Sequence, residues 1–279
     1  MTSKHRREIG NWGLIKNEIV EKYAKAYTTI LTHTNQAWAK TMYVDVFAGS
    51  PENAVKGTGE LVAGSAMRAL QVVPAFDELY FVDLDDSKID DLEVMVAEHS
   101  GARVIHGDGN DVLRDRILPL LEQDSKRRAL ILLDPYGMDV SWDVVERLGK
   151  CGHAEIILNF PTMDINRNAL RRDPGKILES AEEEMTRWWG DDTWRSGFYR
   201  QSPQLTLFDE PRREEKTVNN DDVVIAYVER LRGVAGFRYV SRPYPMRNGK
   251  KATMYYLVHA GPKEVGKRIF DDIQMKYGG

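Results

Sequence analysis

The sequence predicts an α/β fold, a doubly wound and mostly parallel sheet of seven strands, with an N-terminal helix before it and an antiparallel hairpin at its end. Three observations predict it. Short apolar runs bounded by turn residues alternate with stretches of helical spacing between residues 41 and 161, the pattern of strand–helix–strand units. One of these runs, Leu130 to Leu133, is continuously apolar, as a strand buried on both faces reads. Near the end, Asn248-Gly249 separates two β-rich runs, a short-range hairpin signal.

In residues 11–38, Trp12, Ile15, Ile19, Tyr23, Tyr27 and Ile30 or Leu31 share one stripe and predict a long amphipathic helix. MYVDVF (42–47) is the first strand, broken by AGS (48–50) and followed by a polar, Gly-rich stretch to Gly64. Ser65 suits the N-cap of a helix to about Val72. ELYFVDLD (78–85) is a strand followed by a helix at about 86–99, and ARVIHGDG (102–109) a strand and turn followed by a helix at about 111–122. ALILLDPYG must leave the sheet at Pro135, which cannot donate to a ladder. Trp142 to Leu148 is a short helix and AEIILNFP (154–161) the fifth strand.

After 161, residues 167–190 are charged and helical in spacing, while 195–218 are polar with Pro203 and Pro211 and read as an exposed loop or disordered insert. Asn219 to Arg232 is a helix capped by Asn219, Asn220 or Asp221. The runs 236–246 and 251–260 flank the hairpin turn, and a helix at about 262–276 ends the chain. The whole reads as one domain, 1–279, with an N-terminal helical segment (1–40), a core (41–161), an insert (162–218) and a part that completes the sheet (219–279).

A net charge of −4 gives no global basic field for nucleic acid. Local basic clusters remain at His5-Arg6-Arg7, at Arg167, Arg171 and Arg172, and at Arg247, Lys250 and Lys251; each also suits a solvated surface. One cysteine, Cys151, excludes an internal disulfide or a Cys-rich metal site. That composition, with no secretory signal and no apolar run of membrane-spanning length, leads us to expect a cytoplasmic protein. The histidines show no metal spacing, and neither a Walker loop nor a nucleophile elbow is present.

In parallel sheets of this kind, ligands bind outside the carboxyl ends of the strands. Here five ends in series carry polar or turn residues: Asp45 with Gly49, Asp83 with Asp85, Gly107 with Asp108, Asp134 with Tyr136, and Asn159 with Pro161. This order resembles that of S-adenosylmethionine-dependent methyltransferases. The resemblance implies a Rossmann-like methyltransferase fold with S-adenosyl-L-methionine as cofactor. Its loop would be Phe47-Ala48-Gly49-Ser50 behind Asp45. Asp83, with Asp85 as the second choice, would take the ribose hydroxyls, and Asp108 the adenine amino group. Asn110 joins the cofactor-binding set. Asp85 could instead cap the next helix.

Asp134-Pro135-Tyr136 resembles the Asp/Asn-Pro-Pro-Tyr/Phe motif of amino-group methyltransferases with one proline fewer, and is similar to the Asp-Pro-Phe-Gly of enzymes that methylate guanine N2 in transfer RNA. The implied substrate is a planar base bearing an exocyclic amine, stacked on Tyr136 and oriented by Asp134, with catalysis mostly by positioning. The same residues could instead only shape a turn.

WGLIKNEIVEKY (12–23), YVDVFAGS (43–50), GSAMRAL (64–70), LLDPYGMDVSW (132–142), LNFP (158–161) and YYLVHA (255–260), in this order, are similar to the three-Cys-motif partner protein family. The resemblance spans roughly residues 8–275. It implies a methyltransferase-like protein accompanying a separate protein with a three-cysteine, radical-enzyme-like motif, and it brings Asn159 and Arg167 near the site. Ser50-Pro51 departs from the glycine-rich continuation common there. Two rivals stand beside this reading: a non-catalytic module whose work is docking, and a metal nuclease built on Asp45, Asp83, Asp108 and Asp134.

Gln204-Leu205-Thr206-Leu207-Phe208 resembles the pentapeptide with which bacterial replication and repair proteins dock on the DNA sliding clamp. A Leu-x-Phe pair in a polar segment can anchor a peptide in an apolar groove; it can equally pin the segment to its own domain. If the stretch docks, a pull-down with the clamp recovers the chain, and Leu207→Ala with Phe208→Ala abolishes recovery. No recovery of the parent chain sinks the idea.

Overall fold

The computed structural model describes residues 8–33, 39–201 and 214–278. Five parallel strands, β1 (Lys40–Asp45), β2 (Glu78–Asp83), β3 (Ala102–His106), β4 (Arg127–Leu133) and β5 (Ala154–Phe160), are followed by β6 (Tyr239–Val240), β7 (Tyr244–Arg247) and β8 (Thr253–Gly261). The order across the sheet is β3-β2-β1-β4-β5-β8-β6, with β7 beside β6 on the same edge of β8. β8 is antiparallel to β5, with Tyr256 opposite Phe160 and Ala260 opposite Ile156.

The sheet thus has eight strands where the sequence predicts seven. The run 236–246 divides because Pro243 has no amide to offer and the Arg242 amide turns to the Asp271 carboxylate (3.3 Å). The expected two-residue Asn-Gly turn is also longer. Asn248 Oδ1 accepts from the Lys250 and Ala252 amides (3.0 and 3.1 Å), and Lys251, at φ 61°, takes the left-handed position.

Alternation within β4 explains the layers. Leu130 and Leu132 face one core with α1 (Asn11–His33), α2 (Ser65–Leu70), α3 (Asp86–Val96) and the last helix, Glu264–Met275. Ala129, Ile131 and Leu133 face the other core. That core is closed by the helical run Gly109–Gln123 and by the helices Trp142–Cys151, Glu179–Trp189 and Asn220–Gly233. The run from Gly109 passes through a π turn at Leu113–Ile117, just before Pro119, whose missing amide and ring break the i→i−4 ladder. Asn219 caps Asn220–Gly233 in a reciprocal capping box with Asp222.

Two stretches differ from expectation. The Gly-rich segment before Gly64 is a hairpin, Glu52–Val55 with Leu61–Ala63, and Glu8–Ile9 adds to it in parallel. Gly57 and Gly59, both at positive φ, make its turn. The helix after it is capped by Gly64, not Ser65. A methyl group on Gly64 would lie 2.6 Å from the Ser50 carbonyl oxygen. Within the expected insert, Tyr199–Gln201 pairs antiparallel with Glu214–Lys216. Gln204, Leu205, Leu207 and Phe208 lie outside the described residues.

Gly149, inside the helix Trp142–Cys151, marks a close crossing: a methyl group there would lie 2.1 Å from the Ala235 carbonyl oxygen. In an open helix Gly→Ala stabilises by up to ~1 kcal/mol. Gly149→Ala should instead destabilise by about 1–3 kcal/mol through overpacking. A denaturant midpoint at or above the parent's contradicts this.

Candidate active site

β1 ends at Asp45, and the chain turns through Phe47 and Ala48 to Gly49, held at φ 64°. That left-handed conformation suits glycine and aims the Gly49 amide at Asp83 Oδ2 (2.8 Å). The Asp85 amide bonds the other Asp83 oxygen (3.0 Å). Lys88 Nζ lies 3.6 Å from both Asp83 and Asp85. Asp85 caps α3, accepting from Ser87, whose hydroxyl and amide hold its carboxyl below the usual range. It therefore performs the capping role and still lines the clefts.

A cleft of about 640 Å³ opens beside these groups, lined among others by Phe47, Asp83, Leu84, Lys88, Asp108 and Tyr136. Asp108 caps the helical run from Gly109, accepting from the Asn110 and Asp111 amides (2.9 and 3.2 Å). Asn110 is committed to the backbone on both sides: its Nδ2 donates to the Asp139 carbonyl and its Oδ1 accepts from the Ser141 amide (both 2.7 Å). It ties the strand-three turn to the chain after Tyr136. Gly109 is required by close approach, since a methyl group would lie 2.6 Å from Val46 Cγ1.

A second cleft of about 360 Å³ holds the rest, including Lys16, Ala48, Gly49, Ser50, Asp134 and Asn159. The two clefts share Phe47, Asp85, Lys88 and Tyr136. Asn159 Nδ2 donates to Asp134 Oδ1 (2.7 Å), and the Lys16 ammonium donates to Asp134 Oδ2. Asn159 Oδ1 is buried and has no hydrogen-bond partner. Pro135 is buried, and the Tyr136 ring stands 61% exposed with Lys88 Nζ 5.4 Å from its centroid.

Asp45 lies behind this cleft, fully buried, with neither oxygen in a hydrogen bond of ordinary geometry. Burial pushes its pKa up to about 7. The nearby Ser65 hydroxyl opposes the rise, the Asp134 charge adds to it, and Lys16 opposes it.

Phe47 to Ser50, Asp83, Asp85, Asp108, Asn110, Asp134, Tyr136 and Asn159 thus gather at one rim, with Asp45 buried behind it. Arg167 does not: it is exposed, pairs with Asp164 at 3.6 Å and lines neither cleft. Lys16, Lys88 and Arg187 line the clefts without having been expected there. Lys16 neighbours Ile15 and Ile19 on the apolar stripe, and a lysine that close to a buried face was the available signal. Among the described residues, no group of three or more His, Cys, Asp or Glu is placed to hold a metal ion. No described helix is long and apolar enough to cross a membrane.

No family model matches the sequence, and no curated protein matches it. Solved structures similar to the fold include protein LPL1258 from Legionella pneumophila, at 14% identity over 90% of this chain and 97% of that one, with a TM-score of 0.46. A proposed methyltransferase from Thermobifida fusca shares 14% identity over 90% and 83% of the two chains (TM-score 0.42). The N-terminal domain of EvdMO1, solved with SAH bound, shares 8% over 88% and 81% (TM-score 0.41). The strand order, with its antiparallel β8 inserted beside β5 and helices on both faces, is that of the doubly wound, Rossmann-like methyltransferase fold.

Asp45 gives a pH signature. In the folded chain it keeps its proton to about pH 7, against 3.8 as its ordinary value. Between those limits the folded state binds more protons, so its contribution to stability falls as pH rises and levels off above about 7. Asp45→Asn removes the titration. Its stability relative to the parent should therefore grow by roughly 2–3 kcal/mol between about pH 5 and pH 8, at 1.4 kcal/mol per pH unit. Parallel stability–pH curves for the two proteins would contradict the assignment.

Proposed function

We propose that this chain is an S-adenosylmethionine-dependent methyltransferase acting on an exocyclic amino group of a nucleobase in DNA or RNA, in company with a partner protein of the three-Cys-motif kind. One observation carries the reading. Asn159 Oδ1 is a buried acceptor without a donor, bonded through its own amide to Asp134 and sharing a cleft with the exposed Tyr136 ring. Leaving such an oxygen unpaired costs about 1–3 kcal/mol, which the N–H of an incoming amine offsets.

The clefts suit the cofactor. Each Asp83 oxygen accepts one backbone amide and retains a lone pair for a ribose hydroxyl. The exposed Leu84 offers an apolar surface beside the Asp108 carboxylate in the same cleft. Gly49 and Gly109 keep the backbone free of side chains where a ligand would pass. When bound, the cofactor supplies a methyl group on a positively charged sulfur.

The chain's own residues do the rest. Tyr136 stacks on the base, a contact worth about 1–3 kcal/mol. Asn159 Oδ1 accepts one amine N–H, so the nitrogen is oriented before it reacts. Asp134 completes the acceptor pair and is itself held by Lys16 and Asn159. Its two oxygens are already engaged, so Asn159 replaces Asp134 as the first acceptor expected to meet the amine. Docking on a sliding clamp through Gln204, Leu205, Leu207 and Phe208 would direct this activity to DNA near replication.

Calorimetric titration with S-adenosylmethionine and S-adenosylhomocysteine tests the cofactor. Micromolar binding is expected, weakened about tenfold or more in Asp83→Ala, the equivalent of ~1.4 kcal/mol. Asn159→Ala should lower methyl transfer to a nucleic-acid amine by about a hundredfold, or ~2.7 kcal/mol of barrier, with S-adenosylhomocysteine binding retained. A parent chain that binds neither compound, alone or with a co-purified partner, would overturn the reading in favour of a docking module.

A further inference from the structure

Lys16 lies at the middle of the first cleft-facing turns of α1, and its ammonium donates to Asp134 Oδ2. Resting on the methyltransferase reading above, the nitrogen it carries stands at the carboxylate that would receive the acceptor amine. The side chain is 11% exposed and Asp134 13%, so the pair is largely withdrawn from water at the cleft wall. Lys16 is not easily moved. It sits inside a 23-residue helix whose neighbouring Asn17, Ile19, Val20, Tyr23 and Tyr27 are buried. The helix start is tied to β8 by the Tyr255 hydroxyl, which donates to the Trp12 carbonyl (3.2 Å).

We propose that Lys16 is itself a methyl acceptor, so that the chain methylates its own Lys16 in the cleft formed with Asp134 and Asn159. The step balances without a further reagent. The Lys16 ammonium gives one proton to the Asp134 carboxylate and through it to solvent. The Nζ lone pair forms a bond to the methyl carbon, the carbon–sulfur bond breaks with its electrons kept by sulfur, and S-adenosylhomocysteine departs. The product is a methylated ammonium of unchanged charge. One or two methyl groups leave an N–H for Asp134; a third removes the last donor. Full modification therefore removes the Lys16 hydrogen bond to Asp134 while the Asn159 bond to Oδ1 remains.

The purified full-length chain is incubated with isotope-labelled S-adenosylmethionine, and its peptides are mapped by mass spectrometry. Label is expected on Lys16, absent in Lys16→Arg and Lys16→Met, and slowed about tenfold or more in Asp134→Asn. A second readout needs no turnover. Acetylation of Lys16 by acetic anhydride should be slowed at least about fivefold, relative to exposed Lys250, by saturating S-adenosylhomocysteine, because the cleft that Lys16 lines shares Phe47, Lys88 and Tyr136 with the larger one. Tight cofactor binding with no label on Lys16 overturns self-methylation and leaves the methyltransferase reading intact. Absence of any binding overturns both.

Discussion

The Asp83 carboxylate accepts the Gly49 amide on one oxygen and the Asp85 amide on the other, with Lys88 close to its charge. Through these contacts the loop after β1 and the entry to α3 are held to one buried group at the end of β2. A charged acceptor bonded to backbone amides is stronger than a neutral one, and a loop held this way costs little further ordering when a ligand arrives. The rim around the larger cleft depends on it. Phe47 and Lys88 line both clefts, and the chain positions that carry them are set by the Gly49 and Asp85 bonds.

Behind that rim, charge is balanced sparingly. Burial and then the Asp134 charge raise the proton affinity of Asp45, and Lys16, paired with Asp134, is the cation that opposes the rise. Breaking a buried ion pair by removing one partner is strongly destabilising, because the other charge remains uncompensated. Methylation keeps the charge of Lys16 while changing its donors, so the balance survives modification where a neutralising change would disturb it.

Much of this was legible in the sequence, for identifiable reasons. Asp134 stands directly after a continuously apolar run, and Asp83 and Asp108 at or just past the ends of the second and third strand runs, so strand order placed them at one edge. Gly49 was legible as part of the loop after the first strand, whereas the close packing of Gly109 on Val46 was not. Lys16 was not, because nothing in the spacing of α1 tells a lysine that snorkels to water from one that turns inward to a carboxylate 118 positions away. Arg167 was expected near the site by resemblance alone, which does not tell which side of Thr162–Asn168 faces the cleft. The division of the sixth strand depended on Pro243, and the hairpin at 52–63 gains a third strand from Glu8–Ile9, a partner distant in the chain.

That last pairing has a kinetic consequence. Among the described residues, two pairs, Glu8 with Ala54 and Ile9 with Val55, join the start of the chain at the wall of the smaller cleft to the hairpin. They close a loop of roughly 45 residues, an entropic cost that so short a ladder barely offsets. Segments of this kind open locally, long before the molecule unfolds. The Lys56 amide, which donates to the Ile9 carbonyl (2.9 Å), therefore trades its hydrogen with water on the schedule of that opening, far ahead of those in β4.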